Sequence, residues 1–246
     1  MDEIRLKIKR QDGPDELPYW EEFAVPYCPQ MNVVMCLQAI ADNPVTAEGL
    51  PTTPVIWECS CLEEVCGSCT MLVNGKVRQS CSALIDQLDQ PITLEPMTKF
   101  PVVRDLRVDR AKMFESLKKI GGWVTVDGYF DLGPGPRMAA ENQQKAYHFS
   151  RCMVCGCCCE ACPQYNNRSP FVGAFTIGQA FMFNMHPIGG LEKGKRIDAL
   201  MGVGGLADCS NAQNCEKVCP KNIPLTEAIA RLGWDTTIHT IRKFFR

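Results

Sequence analysis

An α+β chain in two parts, strands wrapped around one helix first and helices alone afterwards, is what this sequence of 246 residues predicts. Three observations carry that expectation. From Ile4 to Glu95 short runs of alternating apolar and polar residues are separated by turn residues. Beyond Ala139 no such alternation recurs, and the apolar residues follow a helical period. The 16 cysteines include three spaced groups, one in the strand-rich half and two in the helical half.

Ile4, Leu6 and Ile8 alternate with Arg5, Lys7 and Lys9, so a strand with one buried face opens the chain. Gln11-Asp12-Gly13-Pro14 turns it, and Trp20 to Val25 returns as a second strand. Val33, Leu37 and Ile40 share a helical face until Asn43-Pro44 ends that helix. Val55 to Trp57 reads as a short apolar strand. Thr70 to Val73 and Lys76 to Gln79 flank Asn74-Gly75, the dipeptide that best tolerates positive φ at both positions of a two-residue hairpin turn. Ile92 to Glu95 is the last strand. Asp109 is placed to cap a helix carrying Met113, Leu117 and Ile120, stopped by Gly121-Gly122. Gly128, Gly133, Pro134, Gly135 and Pro136 make an irregular connector. Helices are expected over Ala139–Ser150, Ala174–Met185, Glu192–Met201 and Thr226–Trp234. The domains expected are 1–120, a Gly/Pro-rich linker over 121–138, and 139–246.

The formal charge of -2, with Lys and Arg spread along the chain, offers no basic stripe and argues against nucleic acid as a partner. The acidic start Met1-Asp2-Glu3 is followed by no apolar signal segment, so the cysteines are read as reduced and metal-bound, in a bacterial protein on the cytoplasmic side. Ser169 to Leu191 contains no Asp, Glu, Lys or Arg, but Pro170, Gly173, Gly178, Gln179, Asn184, His186 and Pro187 interrupt it. It reads as a buried helix, either internal to the core or docking on another subunit, and not as a membrane span.

Cys61, Cys66 and Cys69 are spaced C-x4-C-x2-C, with Cys81 after the hairpin. That is the plant-type pattern of a 2Fe-2S cluster, and it makes the first half a β-grasp 2Fe-2S ferredoxin-like domain. Zinc is the alternative, but a zinc ribbon needs two C-x2-C pairs and one is present here. Cys59 competes with Cys61, yet only Cys61 gives the four-residue gap.

Cys152, Cys155, Cys158 and Cys162 follow C-x2-C-x2-C-x3-C-P, the bacterial pattern whose fourth cysteine serves the other of two clusters. Cys209, Cys215 and Cys219 repeat it with Ala212 in place of one cysteine. Crossing the fourth cysteines assigns Cys152, Cys155, Cys158 and Cys219 to a 4Fe-4S cluster, and leaves Cys162, Cys209 and Cys215 for a 3Fe-4S cluster. Recruitment of Cys157 or Cys159 to complete the second site is the alternative. The second half is then an all-α helical ferredoxin domain. Cys28, Cys36, Cys59, Cys157 and Cys159 are left as small apolar side chains, and His148, His186 and His239 are solitary.

With Cys-Leu-Glu-Glu-Val-Cys-Gly-Ser-Cys at 61–69, Pro-Val-Val-Arg-Asp-Leu-Arg-Val-Asp at 101–109 and Cys-Pro-Lys at 219–221, the chain resembles the iron-sulfur subunits of succinate dehydrogenases and fumarate reductases. The resemblance runs over nearly its whole length and is closest to the Gram-positive form. It implies a FAD-containing flavoprotein partner against the first domain and a membrane-anchor cytochrome b, of the di-haem kind, against the second. It also implies a peripheral position on the bacterial membrane and electron flow from flavin through 2Fe-2S, 4Fe-4S and 3Fe-4S clusters to quinone. Ubiquinone-reducing members carry tryptophans shortly after the Cys-Pro and a histidine after the cysteine matching Cys209. Gln164, Tyr165 and Ser210 stand here instead, so the quinone pocket is expected to be either remodelled or mainly in the anchor, with menaquinone as the quinone and Pro163, Ser210 and Ala212 as the quinone-proximal residues. No flavin, nucleotide or acid-base motif accompanies the cysteines, so the chain reads as an electron wire without catalytic residues of its own. The same wire run in reverse would serve fumarate reduction, and a soluble carrier with several clusters is the competing class.

Overall fold

The computed structural model describes residues 3–125 and 136–245, so most of the expected connector lies outside the described residues. The chain divides into two compact units, residues 1–110 with 153–160, and residues 111–152 with 161–246.

In the first unit β1 (Glu3–Arg10) pairs antiparallel with β2 (Tyr19–Pro26) and parallel with β5 (Ile92–Glu95). Strand β5 runs antiparallel to β3 (Thr70–Val73), whose hairpin partner is β4 (Lys76–Gln79), giving the order β2-β1-β5-β3-β4. Asn74 and Gly75 take φ of 48° and 72°, as the hairpin dipeptide predicts. Ile4, Leu6 and Ile8 all point into the core with Phe23, Val25, Ile92 and Leu94, so the alternation read from sequence is the buried face of β1. Against this core lies α1 (Val33–Asp42), which buries Val33, Leu37 and Ile40. Its first turn is capped by Asn32, whose side-chain oxygen accepts the Met35 N–H at 3.0 Å.

A second small sheet, β6 (Val102–Arg104) with β7 (Arg107–Val108), was not expected from the sequence. The turn between them carries Asp105, which is fully buried against Arg10 at 2.8 Å. Asp105 also accepts the Ile56 N–H at 2.8 Å, and the Ile56 carbonyl accepts from Leu106 N–H at 3.1 Å. Val55 to Trp57 therefore forms no strand, because a carboxylate and a single backbone bond take the groups a ladder would need. Removing Arg10 would leave Asp105 charged and buried without a cation, a loss of about 3–5 kcal/mol, whereas removing Asp105 would leave Arg10 still paired with Glu21.

Residues 153–160, distant in sequence, belong to this first unit and end in the short α4 (Cys157–Glu160). Glu160 is buried and accepts the backbone N–H groups of Thr98 at 2.9 Å and Lys99 at 3.0 Å, with the Thr98 hydroxyl added.

The second unit is helical: α2 (Ala111–Lys119), α3 (Ala140–Ser150), α5 (Ala174–Met185), α6 (Lys193–Met201), α7 (Asn214–Lys217) and α8 (Leu225–Phe244). At its centre α5 packs against α2, α3, α6 and α8. Phe149 of α3 meets Phe181 of α5 edge-on at 5.1 Å. The apolar stretch around α5 is thus core, and no helix among the described residues is long and apolar enough to cross a membrane.

Two further element assignments differ from the sequence reading. Helix α2, expected with the strands, sits in the second unit, where the Lys112 ammonium donates to the carbonyls of Asn166 and Ser169. Helix α8 continues well past Trp234. Its far end carries β-branched residues of low helix propensity, but His239 and Lys243 both reach Asp198 of α6, at 2.9 and 2.6 Å, and the tertiary contacts extend it.

Candidate iron-sulfur sites

The loop after Ile56 turns twice through left-handed backbone, at Leu62 (φ 60°) and Glu64 (φ 54°). This wraps the main chain around the Cys61 sulfur, which accepts the N–H groups of Glu63, Val65 and Cys66, each at 3.3 Å. Cys66 Sγ accepts from the N–H groups of Cys61 and Ser68 at 3.5 Å. Burial alone would push the Cys66 thiol up, but hydrogen bonds from Ser68 and Cys61 bring it down to about 6. Cys69 ends the loop at the start of β3 and Cys81 follows β4; both are buried, and burial pushes Cys81 up to about 12.

Gly67 sits at φ +74°, and a Cβ there would stand 2.8 Å from both Cα and Cβ of Cys155. Only glycine permits this approach. Arg110 holds the loop from the other side, donating to the carbonyls of Gly67 at 2.7 Å and Ser68 at 2.5 Å.

Cys155 and Cys158 belong to the first unit and are buried, whereas Cys152 and Cys219 belong to the second. A hydrogen bond with Cys157 is the main cause that brings the Cys155 thiol down to about 7. Cys219 Sγ accepts the Ile223 N–H at 3.5 Å.

Cys162, Cys209 and Cys215 line one pocket, together with Pro163, Ser210, Ala212, Phe171 and Ile229. The segment entering it is shaped by Gly204 at φ +80°, where a Cβ would overlap the Pro170 carbonyl at 2.0 Å. Asp208 accepts the Gly204 N–H at 2.8 Å and so aims the chain at Cys209. Asn211 and Gln213 take φ of 55° and 60° around Ala212, and Asn214 donates to the Ala161 carbonyl at 3.1 Å, tying this loop to the one bearing Cys162.

Thiols are the groups common to the first loop and the third pocket, and backbone N–H groups point at the sulfurs of Cys61, Cys66 and Cys219; sulfur with N–H donors beside it is the environment iron-sulfur clusters require. Among the described residues no three His, Cys, Asp or Glu side chains converge at the spacing of a single ion. A cluster bridged by sulfide spreads its ligands wider than one ion does. His186 accepts the Gly189 N–H, His239 pairs with Asp198, and His148 lies 3.3 Å from the Arg151 guanidinium.

A family model described as a 2Fe-2S iron-sulfur cluster binding domain matches residues 5–115, and one described as a 4Fe-4S dicluster domain matches residues 151–224. Over 242 residues, 98% of this chain and 96% of the relative, the sequence is 56% identical to the succinate dehydrogenase iron-sulfur subunit of Bacillus subtilis. The chain belongs to the succinate dehydrogenase and fumarate reductase iron-sulfur subunit family. Its similarity extends to the fumarate reductase iron-sulfur subunit of Haemophilus influenzae, 30% identical over 87% of this chain and 85% of that one. The fold is also that of a chain in the Mycobacterium smegmatis Sdh1 complex in the apo form, with a TM-score of 0.78 over 95% of each chain at 22% identity. As a member of this iron-sulfur subunit family the protein transfers electrons through 2Fe-2S, 4Fe-4S and 3Fe-4S clusters.

Within this iron-sulfur subunit three residues that hold the cysteine-bearing loops escaped the sequence reading. Arg110, Gln79 and Glu160 act through contacts between segments far apart in the chain, and no local pattern announces them. Of the spare cysteines, Cys36, Cys157 and Cys159 are buried as small apolar side chains would be, while Cys28 and Cys59 are exposed.

Proposed function

We propose that Cys61, Cys66, Cys69 and Cys81 hold the 2Fe-2S cluster, Cys152, Cys155, Cys158 and Cys219 the 4Fe-4S cluster, and Cys162, Cys209 and Cys215 the 3Fe-4S cluster. The chain is the wire of a succinate:quinone oxidoreductase, set between a FAD-containing flavoprotein and a membrane-anchor cytochrome b of the di-haem kind. When bound, the clusters supply one-electron transfer between a two-electron donor and quinone. The protein's own part is to fix separation, exclude water and set charge. Backbone N–H groups at Cys61 and Cys66 favour negative charge on the sulfurs they face. Burial of Cys69, Cys155 and Cys158 keeps solvent from them. One observation carries the reading furthest: Gly67, between two ligands of the first set, lies in direct contact with Cys155 of the second. Consecutive sites in van der Waals contact suit a relay.

Menaquinone is the quinone proposed, because Gln164, Tyr165 and Ser210 replace the residues of ubiquinone-reducing relatives. Pro163, Ser210 and Ala212 line the pocket of the third site and are the residues proposed to face it. The working position is peripheral, on the cytoplasmic side of the bacterial membrane, and succinate oxidation is the direction named for the 56% identical relative.

The test is to purify the complex from membranes with Cys66→Ser in this chain. The flavoprotein and cytochrome b should still accompany it, the 3Fe-4S signal should persist, and succinate-driven quinone reduction should be lost. Quinone reduction at the wild-type rate would refute the order of sites.

A further inference from the structure

Between Cys69 and Cys155 lies a buried polar chain that the ligand pattern does not require. Gln79, the last residue of β4, is fully buried, with its amide oxygen 3.6 Å from Cys69 Sγ and its amide nitrogen 3.5 Å from Cys157 Sγ. Cys157, 1% exposed, is hydrogen-bonded in turn to Cys155.

The orientation of the amide is fixed by its neighbour. Thr70 Oγ1 donates to the Gly67 carbonyl at 2.8 Å, so its oxygen can only accept from Gln79 Nε2, which it does at 2.8 Å. Turning the amide over would set two acceptors against each other. The nitrogen end of Gln79 is thereby held toward Cys157 and the oxygen end toward Cys69.

We propose that Gln79 is a positioning residue whose fixed amide dipole, relayed by the Cys157 thiol, lowers the potential of the first cluster relative to that of the second. This rests on the ligand assignment proposed above. A cluster-bound Cys69 sulfur has no proton, so the amide oxygen beside it disfavours added negative charge there. On the other side the amide N–H engages the Cys157 sulfur and leaves its S–H free to donate to Cys155, which favours added negative charge on that ligand. Hydrogen bonds to cluster sulfurs raise reduction potential. The side chain therefore lowers the first potential and raises the second.

The measurement is a redox titration of the purified complex, following the two paramagnetic signals separately. Gln79→Leu should raise the first potential, lower the second, and shift the one-electron equilibrium between them about tenfold toward the first site, about 59 mV in the gap. Cys157→Ala should lower only the second potential, and Cys157→Ser, which keeps a donor, should restore it. A Gln79→Leu complex with full iron and an unchanged gap would overturn the proposal. Should that variant lose iron, the cysteine pair decides: a difference between Cys157→Ala and Cys157→Ser supports the relay, and identical potentials overturn it. Cys69→Ser and Cys155→Ser separate this from the ligand reading, since first or second signals indifferent to them would condemn the assignment and not the dipole.

Discussion

Gly67 joins two cysteine-bearing segments of the first unit. Its positive φ and its contact with the Cys155 backbone leave no space for a side chain. Gly67→Ala is expected to cost about 1–3 kcal/mol in backbone strain alone, and more from the clash. Thermal unfolding of the purified complex should show the loss, together with a weakened 2Fe-2S signal; an unchanged Tm and signal would contradict the close approach. The sequence made the cysteine spacing and the Asn74-Gly75 hairpin legible because both are local, decided within a few residues. It could not show what lies over Gly67 or beside Gln79, since those neighbours, Cys155 and Cys157, arrive from far along the chain.

At the scale of elements, two attachments invite tests. The segment bearing Cys155 and Cys158 is pinned to its unit by Glu160, which accepts two backbone N–H groups while 8% exposed. Glu160→Ala would strand those donors, at about 1–3 kcal/mol each. Chemical denaturation should report the loss, and the 4Fe-4S signal should weaken more than the others. Equal weakening of all three would argue against a local pin. The end of α8 depends on Asp198, whose carboxyl is held below its usual range by Lys243 first and His239 second. The folded value being depressed, this support is present above the unfolded carboxylate pKa of about 3.9 and fades as pH falls through the lower folded value. Amide exchange over Thr236 to Phe244, corrected for intrinsic rate, should quicken below about pH 4 and lose that dependence in Asp198→Asn. Helix α8 also marks a limit of sequence reading: its β-branched end looks like a stop, and only the reach to α6 explains why the helix goes on.

For the whole molecule, the units are interleaved rather than sequential, with residues 153–160 returning to the strand-rich unit. A boundary drawn at the Gly/Pro-rich stretch follows the last strand but parts Cys155 from Gly67, which it contacts. Sequence composition marks where regular structure changes and carries no record of which segment folds back. In the ligand assignment proposed above, eleven cysteines hold clusters of two, four and three irons, the last incomplete because Ala212 stands where the repeat calls for a thiol. The direct test of that assignment is a count of non-haem iron with paramagnetic resonance of the oxidised complex, in wild type and in Ala212→Cys. The wild-type chain should hold nine irons and show the oxidised 3Fe-4S signal. In Ala212→Cys that signal should vanish as a fourth iron enters, and quinone reduction should slow. Ten irons and no oxidised-state signal in freshly prepared wild type would contradict the account.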